Sequence, residues 1–89
     1  MNAPLLVTQY QETRALVANA VQQAFFERFG EAPDPADRLW ERGSLNRLAL
    51  IDDVEAKLGE AFRDEDIEFL DTADDLVERG VAVLLRGGQ

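Results

Sequence analysis

Apolar residues four apart, Val17, Val21, Phe25 and Phe29, with Leu16, Ala20 and Ala24 beside them, constrain this chain more than any other feature. At helical pitch that spacing gathers them onto one broad face of a helix over residues 8–29. Such a face must be covered, so the rest of the sequence has to supply further helices or a sheet. Gly30 ends the helix, because glycine most readily takes the left-handed conformation at a helix C-terminus. Pro33 and Pro35 follow at once and restrict both themselves and the residues before them, so residues 31–37 read as a loop.

The cover comes from three more helical segments. Leu48, Ile51, Val54, Glu55 and Leu58 repeat at helical spacing over residues 44–58, with Gly43 or Ser44 available as N-cap and Gly59 as the stop. A short helix at residues 64–69 offers Ile67 and Leu70 to the core. Thr72 with Asp75 three residues on resembles a capping box and opens a last helix over residues 73–85, whose apolar side is Leu76, Val77, Val81, Val83, Leu84 and Leu85. Gly80 inside it costs about 1 kcal/mol relative to alanine. No strand pattern, repeat or low-complexity tract is present. The expected fold class is all-α: a helical bundle of three long helices and one short helix, with a long first loop. A chain of 89 residues makes one domain, 1–89, with flexible ends expected over residues 1–7 and 87–89.

Composition removes whole classes of chemistry. Without cysteine there is no disulfide framework and no thiolate metal site; without histidine there is no Ser-His pair and no usual general base. A small enzyme working through its carboxylates alone is disfavoured. The net charge of −9 is uneven: residues 1–50 carry six Asp/Glu against five Arg, and residues 51–89 carry twelve against four Lys/Arg. That acidic half repels nucleic acid and anionic membrane surfaces and steers basic protein patches toward itself, or else simply keeps the surface solvated. No apolar run nears the roughly 20 residues of a membrane span, and Met1, Asn2, Ala3 and Pro4 lack the basic flank of a secretory signal. A cytoplasmic monomer is expected. Asp64, Asp66 and Glu68 suggest a calcium loop, but Phe69 stands where its glycine belongs and Asp75 at its closing position. The expected reading is a solvated acidic turn, and no metal is assigned.

Residues 40–59 carry a more particular signal. Gly43, Ser44 and Leu45 open a helix, Leu48, Ile51, Val54 and Leu58 follow at helical intervals, and Glu55 and Gly59 mark its close. Downstream come an acidic stretch over residues 64–71 and the Thr72-led entry into the last helix. In this order and spacing, residues 36–77 resemble the acyl carrier protein, or phosphopantetheine-binding carrier protein, family, in which Asp-Ser-Leu opens the second helix. The resemblance implies a four-helix carrier-protein bundle and a covalent 4'-phosphopantetheine on Ser44, transferred from coenzyme A by a phosphopantetheinyl transferase. It implies an acyl or aminoacyl intermediate held as a thioester on that arm. Delivery would be to a ketosynthase, an acyltransferase or an adenylating enzyme of fatty acid, polyketide or related specialised biosynthesis. Such a protein is a carrier and not an enzyme, and its thiol comes from the prosthetic group, which reconciles thioester chemistry with the absence of cysteine. A serine at a helix start suits the role, because its phosphate would sit at the positive end of the helix dipole. The plain alternative makes Ser44 an ordinary N-cap.

Departures from the family pattern point to a specialised carrier rather than the housekeeping one. Gly43 stands where the family usually has an aspartate that helps many transferases recognise the serine. Arg42 and Arg47 flank Ser44 where carriers of fatty acid synthesis are typically acidic or neutral, and Asp52 replaces an apolar contact residue. The loop between Gly30 and Ser44, though long, is shorter than is usual in the family, with Trp40 expected in the place of a buried leucine. Leu45, Asp52 and Glu55 are the expected contacts for basic partner surfaces, and Arg47, one turn from Ser44, for an acidic patch or the prosthetic phosphate. Phe25, Leu48, Val54 and Leu76 are candidates for core and acyl-chain contact alike, while Phe26 and Phe29 read as core. Gly43 also motivates an alternative: an unmodified, carrier-like acidic module that binds partner proteins with no prosthetic group.

Overall fold

The apolar residues spaced four apart share one face of α1 (Ala3–Phe29), which begins five residues ahead of its expected start. The computed structural model describes residues 3–87, with side chains over residues 8–86. Of the expected flexible ends, residues 1, 2, 88 and 89 lie outside the described residues. Val17, Val21, Ala24 and Phe25 are buried and Phe29 half-buried, while Leu16 and Phe26 lie on the outer side, exposed. Gly30 closes the helix at φ 76°, its N–H donating to the Phe26 carbonyl at 2.8 Å.

Three further α-helices follow: α2 (Ser44–Leu58), α3 (Asp64–Glu68) and α4 (Ala73–Gly87). A short 3-10 helix (Leu39–Arg42) interrupts the first loop. The chain is all-α, and α1 packs against both α2 and α4. One core joins these elements through Phe25, Leu50, Ile51, Val54, Leu76 and Val83. Gly80 sits at the close approach of α4 to α1: a Cβ there would lie 2.6 Å from Val17 Cγ1. The glycine that costs helix propensity is thus a condition of the packing.

The first turn of α4 shows how the proline-bearing loop is anchored. A helix leaves its first N–H groups without partners. Here the Ala73 N–H donates to the Asp37 carbonyl (2.9 Å), the Asp74 N–H to the Pro35 carbonyl (3.0 Å) and the Asp75 N–H to Thr72 Oγ1 (3.0 Å). Asp75 Oδ2 accepts in return from the Thr72 N–H at 3.0 Å, which completes the expected box. One antiparallel bridge, Arg38 to Thr72, is the strand-like pairing among the described residues.

Several expectations about burial are corrected, the first being Phe26, which reads as core but is 59% exposed on the outer side of α1. Leu48 is 45% exposed, because the inward face of α2 is set by Arg47, Leu50, Ile51 and Val54, and Leu48 is turned about 100° from Arg47. Trp40, expected to be buried, is 51% exposed, and it is the adjacent Leu39, 1% exposed, that enters the core. Asp66 lies in no solvated turn: it is 1% exposed and accepts from the Arg63 N–H at 2.8 Å. Arg86 meets its carboxylate at 2.8 Å and Arg79 at 3.5 Å. The Arg86 hydrogen bonds hold the Asp66 carboxyl below the usual aspartate range, with burial opposing and the Arg63 N–H assisting.

Candidate functional site around Ser44

The passage from the 3-10 helix into α2 turns on Gly43. Its N–H donates to the Trp40 carbonyl at 3.2 Å, and its own carbonyl accepts the Arg47 N–H at 2.9 Å, which makes Gly43 the N-cap of α2. It holds φ 93° and ψ 150°, a conformation that L-residues rarely adopt, although a Cβ there would meet nothing within 4 Å. The backbone itself therefore calls for glycine at position 43.

Ser44 is the first residue of α2 and is exposed. Its hydroxyl bonds to no other described residue, and Gly43 caps the helix with no side-chain bond, so the ordinary N-cap role does not account for the serine. No acidic side chain occupies the first turn, which leaves the positive end of the helix uncompensated by a local carboxylate.

The two arginines beside Ser44 both turn inward. Arg42 lies over the rings of Phe25 (4.8 Å to the centroid) and Phe29 (4.7 Å), and its guanidinium meets Glu31 at 2.6 Å and Asp37 at 3.4 Å. It thereby ties the first loop to the end of α1. Arg47, expected to face a partner, is 3% exposed. Its Nε donates to the Leu70 carbonyl (3.1 Å), and its Nη2 donates to the carbonyls of Ile67 and Leu70. Its guanidinium stacks against the Trp40 ring, 4.0 Å from the centroid. Burial pushes the Arg47 guanidinium pKa down and Asp71 pulls it back, and an arginine so placed stays charged. The expectation of a partner or phosphate contact at Arg47 is corrected: its Nε and Nη2 groups are directed to the main-chain carbonyls of Ile67, in the last turn of α3, and Leu70, just beyond it.

With both cations withdrawn, the exposed surface near Ser44 is apolar and acidic. Leu45 is 84% exposed, and Leu48 and Trp40 are about half so. Ser44, Leu48 and Asp52 follow one another at four-residue steps along α2, with Leu45 on the adjoining stripe. Glu41 and Asp52 are exposed and form no ion pair among the described residues. Glu55, the other expected partner contact, is half-buried, and its Oε2 accepts the Phe62 N–H at 3.1 Å, so its carboxylate helps close the loop after α2. A groove of about 570 Å³ lies at the far end of α2 between Arg28, Asp53 and Lys57, bounded by the Arg28–Asp53 and Lys57–Glu27 pairs. It is more than two turns from Ser44. Phe25, Val54 and Leu76, the other candidates for acyl-chain contact, are fully buried in the core.

Trp40 is the exposed feature that sequence reasoning missed. Its signal was Arg47, which falls three and four residues before Leu50 and Ile51, on the buried face of α2, where a guanidinium needs carbonyls and a ring to meet it. Among the described residues no cluster of three or more acidic side chains is placed to hold a metal ion, and no helix is long and apolar enough to cross a membrane. No family model, curated protein or solved structure matches the chain.

Proposed function

We propose that this chain is a carrier protein that holds an acyl or aminoacyl group on a phosphopantetheine arm at Ser44. The reading rests on Ser44 itself: an exposed serine at the first position of a helix, its hydroxyl bonded to no other described residue, with the capping role already filled by Gly43. The order of motifs over residues 40–77 and the all-α arrangement support it. Loading would form an ester bond between the Ser44 oxygen and phosphorus as the pyrophosphate bond of coenzyme A breaks. The adenosine bisphosphate half leaves, and the hydroxyl proton passes to a base of the transferase. When attached, the arm supplies the thiol that a chain without cysteine lacks, and with it thioester chemistry. The chain's own part is to present Ser44 at an open helix end, whose first-turn N–H groups would favour an attached phosphate. Delivery to a ketosynthase, an acyltransferase or an adenylating enzyme follows from the same reading, and the chain itself catalyses nothing.

Intact-mass measurement after incubation with coenzyme A and a broad-specificity phosphopantetheinyl transferase tests this. The expected result is a gain of one phosphopantetheine that Ser44→Ala abolishes. That variant should keep its stability within about 0.5 kcal/mol, because it removes an exposed hydroxyl that bonds to no other described residue. Absence of the gain with any transferase, one from the protein's own genome included, overturns the proposal and favours an unmodified acidic interaction module.

A further inference from the structure

We infer that Trp40, with Leu45 and Leu48, is what the enzyme loading Ser44 reads in place of a side chain at position 43, and that this enzyme offers an apolar socket with a basic rim. The inference stands only if Ser44 is loaded as proposed. Position 43 presents no side chain, and its φ of 93° disfavours one, so recognition there must come from neighbours. Trp40 is the neighbour best built for it. Its ring is half-exposed yet fixed, because it stacks on Arg47, and Arg47 is held by the carbonyls of Ile67 and Leu70. A ring already immobilised loses little side-chain entropy when a partner covers it. Its own 3-10 helix runs directly into α2 through the Gly43 N–H bond to its carbonyl, so the ring and Ser44 are parts of one local unit. Leu45 and Leu48 extend the apolar surface to the other side of Ser44, so three large apolar residues stand exposed within residues 40–48.

Charge decides what covers this surface. Glu41, next to Trp40 in sequence, and Asp52, one turn beyond Leu48 along α2, are exposed and in no ion pair among the described residues, and the cations in the same stretch, Arg42 and Arg47, face inward. A second copy of the chain brings its own −9 charge and the same acidic rim, and an anionic membrane or a nucleic acid is repelled likewise. A protein surface with an apolar centre and basic edge is complementary on both counts.

The test uses the transferase found to load the wild-type protein. Trp40→Ala and Leu45→Ala are each expected to raise KM for the carrier about tenfold, the size expected of an interface hot spot, with kcat within about twofold of wild type. Trp40→Phe, which keeps a ring over Arg47, should recover part of the loss. Leu45→Ala guards against a folding artefact, since a side chain so exposed contributes little to the core. The chain has one tryptophan, so substitution with 5-fluorotryptophan gives a single fluorine resonance that reports on Trp40. Adding the transferase to the labelled Ser44→Ala protein should shift or broaden that line. Gly43→Asp, which restores the family's residue, should lower Tm without lowering KM. Loading with unchanged KM in Trp40→Ala and Leu45→Ala, a fluorine line unmoved by a transferase that loads the protein, or a Gly43→Asp variant with improved KM overturns the inference while leaving the carrier reading intact. Failure of the wild-type protein to load overturns both.

Discussion

A guanidinium inside a small protein needs acceptors for its N–H groups, and Arg47 has them in the carbonyls of Ile67 and Leu70 beneath the Trp40 ring. Two consequences can be measured. Arg47→Lys keeps the charge but replaces a planar fork with a compact ammonium that cannot serve both carbonyls and stack, so it should cost about 1–2 kcal/mol. Arg47→Ala leaves the Leu70 carbonyl without a donor among the described residues, while the Ile67 carbonyl keeps the Leu70 N–H, and it strips the Trp40 ring of its partner, so it should cost about 3 kcal/mol. Urea denaturation followed by Trp40 emission would report both, because the reporter ring is the one that loses its partner. Equal stability in the two variants and the wild type would remove Arg47 from the architecture and return it to the surface role its sequence position suggests. That suggestion failed for a physical reason. The stripe expected from spacing, Leu48, Ile51, Val54 and Leu58, passes over position 47, although 47 shares a face with Leu50 and Ile51; an arginine there has two solutions, reaching out to water or turning in to carbonyls. Only the three-dimensional position of the loop after α3 decides between them. Trp40 was misplaced by the same gap: Leu39 and Trp40 are adjacent, and which one enters the core depends on the 3-10 helix, where Leu39 is buried.

The elements differ in how far the sequence disclosed them. α1, α2 and α4 were legible because each carries a long periodic apolar face with a glycine stop or a Thr-Asp start, signals that depend on local spacing alone. α3 has five residues, too few to be stable by itself, and it is held at both ends by charge. Arg47 meets the carbonyls at its C-terminal end, and Asp66 joins its N-terminal end to Arg79 and Arg86 of α4. These long-range partners leave no local trace, which is why Asp66 was read as solvated. Its depressed carboxyl pKa gives a prediction with a definite sign. A carboxylate whose folded pKa lies below its unfolded value contributes stability that is complete above the unfolded value, about 4, and is lost as pH falls through the folded one. Asp66→Asn should therefore be less stable than wild type by about 2 kcal/mol near neutrality, less than a fully buried pair because Arg79 and Arg86 keep partial exposure. The gap should hold constant from about pH 7 to pH 5 and close below about pH 4. Thermal melts of both proteins across that range check it, and a gap that widens on acidification would mean the Asp66 pKa is raised instead.

At the scale of the whole molecule, the net charge of −9 is left to carboxylates, because the cations are engaged within the chain. Eight of the nine Lys/Arg residues form ion pairs within the chain: Arg14, Arg28, Arg38, Arg42, Lys57, Arg63, Arg79 and Arg86. The ninth is Arg47, turned to main-chain carbonyls. The charge left for a partner near Ser44 is thus carboxylate, with Glu41 and Asp52 exposed and in no ion pair among the described residues. The structure also changes which residues should be reversed to test this. Glu55 holds the Phe62 N–H, so altering it would loosen the loop after α2 as well as the surface charge, whereas Glu41 and Asp52 can be changed with little effect on the fold. A Glu41→Lys, Asp52→Lys double variant should retain its melting temperature and be loaded several-fold more slowly at low ionic strength, chiefly through slower association. The deficit should shrink as salt is raised, because the Debye length falls from about 10 Å at 0.1 M to about 3 Å at 1 M and exposed charges no longer steer the encounter. Equal loading rates of the variant and the wild type at low salt would separate the acidic surface from recognition. Apolar contacts around Ser44 would then be the sole basis for partner choice.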